Sequence, residues 1–156
     1  MKTNLERLTD EQLAPLLVES EHAFLPTKNN PNETATSLIE KFRNDKRYDT
    51  LGYIIGSKAV SYIIALSGRT DSEIAIGPMY VTEDFRGEGL GKQQVANFIQ
   101  LFTEQGYESI YTKTWLGNAA SRYSFESLGF IEVTRKDRDR INGDSTISYK
   151  LKTTEL

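Results

Sequence analysis

The 156 residues include no cysteine, so a disulfide framework, a thiolate metal site and a cysteine nucleophile are all excluded. No apolar run approaches the ~20 residues that a membrane-spanning helix requires. The first ten residues, MKTNLERLTD, are too polar for a secretory signal, so a cytoplasmic location is the default expectation. Positive charge is not in excess either: 19 basic against 22 acidic side chains leave a net charge of -3. Broad binding to a phosphate backbone needs a strongly basic face, so no nucleic-acid partner is expected. A mildly acidic surface suits a cationic substrate instead. Repeats, low-complexity tracts and Pro/Gly/Ser-rich linkers are also missing, which predicts one domain over residues 1–156. A chain of this size hides roughly 70% of its unfolded surface and can bury a real core.

What is present alternates between helical and extended patterns. Residues 4–8 suit a short first strand, and Thr9-Asp-Glu-Gln12 reads as a capping box opening a helix with Leu13, Leu16 and Leu17 inward. Pro15 would disturb that helix, so a kink or a later start is expected. Residues 26–32 read as a polar loop, and Leu38, Ile39 and Phe42 recur at helical spacing over residues 37–43. The Ile-, Val- and Tyr-rich residues 53–66, broken by Gly56-Ser57-Lys58, predict a hairpin of two antiparallel strands. A strand over residues 73–81 contains Gly77-Pro78, an awkward pair for a central strand that a bulge would accommodate. After Gly91 comes a helix with Val95, Phe98, Ile99 and Phe102 on one face and Gly106 as its stop. A strand over residues 108–115 follows, then a helix with Asn118 as N-cap and Gly129 as stop, and two strands over residues 130–135 and 145–150. That order predicts mixed α/β layers around one central sheet. The run Lys136-Asp-Arg-Asp-Arg140 mixes signs, fits an exposed loop or hairpin, and is assigned no chemistry.

The segment Val81-Thr-Glu-Asp-Phe-Arg86-Gly-Glu-Gly89-Leu-Gly91-Lys92 joins a predicted strand to an amphipathic helix. Its glycines let the backbone approach an anion closely, while the first N–H groups of the helix point outward with the positive end of the dipole. A pyrophosphate is the natural guest. A Walker loop requires glycine five residues before Gly91, where Arg86 stands, and Ser or Thr after Lys92, where Gln93 stands. The dinucleotide fingerprint requires glycine at position 92, which is lysine. A purely structural turn is the remaining alternative.

The spacing Arg86-Gly-Glu-Gly89-Leu-Gly91 resembles the coenzyme A pyrophosphate loop of the GNAT superfamily of N-acetyltransferases. Asn118-Ala-Ala-Ser121-Arg-Tyr-Ser-Phe125-Glu-Ser-Leu-Gly129-Phe130 resembles the second signature of that family, and the likeness extends over residues 73–133. The resemblance implies a central, mostly antiparallel sheet of six or seven strands, splayed in the middle and flanked by about four helices. It implies direct acetyl transfer from acetyl-coenzyme A to a primary amine, the acceptor a small molecule or a protein, without metal. A noncatalytic acyl-coenzyme A sensor is the alternative, and a homodimer is compatible with either.

The resemblance also distributes roles. Arg86, Gly87, Gly89, Leu90, Gly91 and Lys92 would cradle the diphosphate. Backbone groups of Met79 and Val81 would hold the pantetheine arm, with Asn118, Ser121 and Phe125 on the facing helix. An N–H near Met79 or Tyr80 would polarise the thioester carbonyl, a contribution of ~3 kcal/mol in such sites. A lysine-like amine with pKa ~10.4 needs a base, since only about one molecule in 10³ is neutral at pH 7. Glu73 qualifies if it shares a face with Ala75 and Met79, although it also reads as a solvated strand-end carboxylate. His22, the one histidine, has no partner at motif spacing and reads as exposed or structural. Many members carry a tyrosine where Phe125 stands. Tyr123 lies about 200° from that position around the helix and should face elsewhere. Tyr123 therefore reads first as a packing or surface residue, and water, another tyrosine such as Tyr111, or no acid at all serves the leaving thiolate.

Overall fold

A computed structural model describes residues 4–24, 32–68 and 70–156, with the side chains of residues 22–24 excepted. The side chain of His22 and all of the expected polar loop but Asn32 lie outside the described residues.

Strand β1 (Glu6–Arg7) leads into helix α1 (Asp10–Phe24), and the expected capping box forms. The Thr9 N–H donates to Gln12 Oε1 at 2.9 Å, and the Gln12 N–H to Thr9 Oγ1 at 3.2 Å. That cap and the burial of Leu13, Leu16 and Leu17 outweigh the lost bond at Pro15, and α1 starts early and runs through the proline without a break. Helix α2 (Ala35–Asn44) is capped in the same reciprocal manner by Thr34 and Ser37 and buries Phe42.

The expected hairpin over residues 53–66 takes a different form. Strand β2 (Tyr48–Gly52) pairs with β5 (Ser61–Ser67), while β3 (Ile54–Ile55) and β4 (Lys58–Ala59) form a separate ribbon between them. At Gly52 a Cβ would lie 2.1 Å from the carbonyl oxygen of Ser61, so only glycine permits the crossing. β2 escapes detection because Tyr48-Asp-Thr50 offers too little apolar alternation to compete with its neighbours.

Strand β6 (Glu73–Val81) carries the expected bulge: Ile63 pairs with Met79 and Ala65 with Ile76, so Gly77 and Pro78 together oppose Ile64. The extra residue reverses the alternation beyond it. Before the bulge, Ile74 and Ile76 enter the core cluster that contains Val95, Phe98 and Phe102. Alternation places Glu73 and Ala75 on the opposite face. Beyond the bulge Met79 packs on that same core cluster, and Tyr80 joins the cluster of α1 and α2. Glu73 and Met79 therefore face opposite sides of the sheet, contrary to unbroken alternation.

Helix α3 (Leu90–Glu104), strand β7 (Ser109–Trp115), helix α4 (Ala119–Ser127) and strands β8 (Ile131–Lys136) and β9 (Thr146–Lys152) complete the chain. The mixed α/β fold has a seven-stranded, mostly antiparallel sheet in the order β1-β2-β5-β6-β7-β9-β8, with α1 and α2 on one face and α3 and α4 on the other. The one parallel pairing among the described residues, β6 with β7, stops early. It runs from Glu73 opposite Ser109 to Ile76 opposite Thr112. Farther on, β6 stays with β5 and β7 stays with β9, so the sheet opens in the middle. Thr112 donates its hydroxyl to the carbonyl of Ile76 at 3.3 Å and pins the closed end of the opening.

Candidate active site

The two halves of the sheet part because β6 bends at its bulge while β7 runs straight beside β9. The register then decides what the free edge offers. The Thr82 N–H donates to the Val60 carbonyl at 3.0 Å, so alternate residues Tyr80 and Thr82 direct their backbone groups at β5. Met79 and Val81, between and before them, direct theirs into the opening. Tyr80 is thereby removed as a main-chain oxyanion donor, since its N–H belongs to the β5 ladder. Its ring does not reach the opening either: it lies in the α1–α2 cluster, and burial raises its phenol pKa above the ordinary value.

The glycine loop stands at the open mouth. After a short 3₁₀ turn over Glu83–Phe85, Gly87 and Gly89 adopt φ of 81° and 77°, left-handed values that favour glycine. Gly89 is the N-cap of α3 and supplies no side-chain bond to the first turn, so the N–H groups of Leu90, Gly91 and Lys92 face outward. Gly91 differs from its two neighbours, having an ordinary φ and room for a Cβ, whose nearest contact is Val81 Cγ2 at 3.9 Å. The backbone alone gives no reason for glycine there, and glycine in a helix costs about 1 kcal/mol relative to alanine. Close approach by a ligand does give one. The residues present fit a diphosphate group on these counts.

A cavity of about 940 Å³ passes through the opening, with walls from Leu17, Ser20 and Leu38 on one face and Asn118, Ser121 and Phe125 on the other. Glu73 and Met79 line it as well. Asn118 is fixed from two sides: its Nδ2 donates to Thr114 Oγ1 at 3.0 Å, and its Oδ1 accepts from the Ser121 N–H at 3.4 Å. Phe125 is 2% exposed and packs its ring on Phe130 and Tyr149.

Tyr123 does not belong to this cavity. It is 69% exposed on the outer side of α4, with Lys92 Nζ 5.7 Å from its ring centroid. The 200° separation from position 125 accounts for this, and a catalytic role for Tyr123 is withdrawn.

Arg140 was hidden in the mixed-charge run. The β8–β9 connection folds back so that Arg140 lines the cavity, with its guanidinium 5.7 Å from the Trp115 ring centroid and its Nε–H donating to Thr146 Oγ1 at 2.9 Å. Burial lowers its pKa from the ordinary arginine value. A fully buried hydroxyl pair, Ser20 and Tyr62 at 2.8 Å, lies on the α1 wall and was equally invisible, being 42 residues apart. No local spacing signals either feature.

Among the described residues, no helix is long and apolar enough to cross a membrane. The chain is similar in structure to an N-acetyltransferase from Staphylococcus aureus Mu50, with a TM-score of 0.82 at 16% identity over 98% of this chain and 99% of that one. The ribosomal-protein-S18-alanine N-acetyltransferase of Escherichia coli gives 0.77 at 18% identity, covering 97% and 94%. A protein from Salmonella typhimurium, whose structure holds its cofactor acetyl-CoA, gives 0.80 at 17%, covering 99% and 95%. At such identities these likenesses speak for the fold. No curated protein matches in sequence. The sequence model of the Acetyltransferase (GNAT) family, however, matches residues 6–130, which takes in the opened strand, the glycine loop and α4. The chain belongs to the GNAT acetyltransferase family.

Proposed function

We propose that the chain transfers the acetyl group of acetyl-coenzyme A to a primary amine by direct attack, with both substrates bound in one domain spanning residues 1–156. The observation that carries this is the gap beyond Ile76 and Thr112, into which Met79 and Val81 turn their backbone groups beside the uncapped first turn of α3. The N–H groups of residues 90–92, reached over Gly87 and Gly89, hold the diphosphate, and Arg86 and Lys92 add charge. Met79 and Val81 pair with the pantetheine arm as a missing neighbour strand would. Asn118, Ser121 and Phe125 form the facing wall.

The Met79 N–H serves as the donor to the thioester oxygen, because it points into the opening and lies close to the bulge. The acceptor enters from the α1–α2 face, where Glu73 sits at the closed end of the cavity and serves as base, directly or through water. Structural neighbours described as ribosomal-protein alanine N-acetyltransferases from Escherichia coli and Brucella melitensis act on amines and support that acceptor class. The test is release of free thiol from acetyl-coenzyme A across a panel of small amines, amino-acid amides and peptides. Turnover with at least one member is expected. Buried Phe125, which has no proton to give, favours a noncatalytic sensor as the second reading; tight binding without turnover for every amine would establish that reading instead.

A further inference from the structure

We propose that Ser121 is the side chain that stabilises the leaving thiolate, in the place where Phe125 offers only a hydrocarbon ring. The inference rests on the acetyl-transfer function proposed above and adds a catalytic residue to it. Ser121 and Phe125 are four residues apart on α4, hence on one helix face a single turn apart, and both line the cavity. The Phe125 ring is packed on Phe130 and Tyr149 and is fixed there. Ser121 therefore carries the hydroxyl that α4 presents next to it.

That hydroxyl is uncommitted. Serine in the first turn of a helix commonly bonds back to the N-cap N–H, as Ser37 does toward Thr34 at 2.8 Å. Here the Asn118 N–H is already taken by the Trp115 carbonyl at 3.0 Å. The Ser121 backbone is satisfied by Asn118 Oδ1, and its Oγ makes no hydrogen bond among the described residues. Three other hydroxyls of the cavity wall are engaged elsewhere: Thr112 donates to Ile76, and Ser20 and Tyr62 bond each other. Asn118 thus holds Ser121 by its main chain and leaves its side chain to the cleft.

The chemistry balances without a strong acid. As the amine nitrogen bonds to the carbonyl carbon, the carbon–sulfur bond breaks and sulfur departs with the electron pair. The Ser121 proton stays on its own oxygen, because an alcohol is a weaker acid than a thiol of pKa ~8.5, and is shared with sulfur as a hydrogen bond. The proton lost by the amine passes to the base and through solvent to the thiolate. A serine is sufficient for this because the thiol is a good leaving group that needs stabilisation rather than full protonation.

Two measurements on the full chain test Ser121→Ala. In the first, bound coenzyme A is titrated by the ultraviolet absorbance of its thiolate. The thiol pKa in the wild-type complex is expected below that of free coenzyme A, and the substitution should return it toward the free value. In the second, kcat with an accepted amine should fall about tenfold, the worth of one modest hydrogen bond, while acetyl-coenzyme A affinity by calorimetry changes by much less than kcat. Adding Phe125→Tyr to the variant should restore kcat, since the phenol brings a donor to the same face. An unchanged thiol titration overturns the proposal, as does a loss confined to cofactor affinity or a kcat that Phe125→Tyr leaves low. If wild-type protein turns over no amine, the acetyl-transfer function fails while the thiol titration still decides the role of Ser121.

Discussion

Arg86 donates its Nε–H to the carbonyl oxygen of Val81 at 3.1 Å while its guanidinium lies 5.0 Å from the Tyr80 ring centroid. The first residue of the glycine loop is thus tied back to the last residue of the strand that opens the sheet. Its side chain is held against Val81 and Tyr80, and the Val81 carbonyl is kept oriented by that bond.

Arg86→Ala is expected to weaken acetyl-coenzyme A binding about tenfold, the loss of one charge-assisted contact, with little change in melting temperature. Arg86→Lys should recover only part of the affinity, because an ammonium cannot grip Val81 and stack on Tyr80 together. Calorimetry on the three proteins checks this; equal affinities would show that the guanidinium serves the loop alone.

Gly89 and Gly91 should respond in opposite directions to alanine. At Gly89, with φ of 77°, a side chain costs ~1 kcal/mol or more. At Gly91, with an ordinary φ and open space, alanine should stabilise α3 by about 0.5–1 kcal/mol. Thermal melts separate the two. Weaker cofactor binding by the more stable Gly91→Ala variant would measure how closely the diphosphate approaches the backbone, whereas a drop in its stability would contradict the geometry.

Gln94 is 0% exposed in the second turn of α3, and neither of its amide atoms has a hydrogen-bond partner. A buried amide without bonds is destabilising by roughly 1–3 kcal/mol. Gln94→Met keeps the length and removes the polar atoms, so the melting temperature should rise by about 2–4 °C for a chain of this size. A lower melting temperature would show that the amide is satisfied through ordered water.

The glycine turn, the helix cap and the bulge were legible in the sequence because their signals are local. The spacing of Gly87, Gly89 and Gly91, the Asn118 cap and the proline in the bulge each act within a few residues, through backbone geometry that residue type alone controls. Glu73 and Met79 were placed on one face for the same reason in reverse: alternation is local, but a bulge flips every position after it. The choice between the N–H groups of Met79 and Tyr80 stayed open in the sequence because only the pairing register with β5 reveals which N–H groups a strand has left over.

The sequence by itself determined the helices and most of the strands, the glycine turn before α3 and the absence of a phenol at position 125, since each depends on which residues stand within one or two turns of chain. Only the tertiary structure decided that β6 and β7 part after Ile76 and Thr112, that Met79 rather than Tyr80 faces the gap, and that Arg140 and the Ser20–Tyr62 pair wall the cavity. Those relationships join residues far apart in the chain. They are settled by how strands pair and helices cover them, and a local pattern carries no information about either.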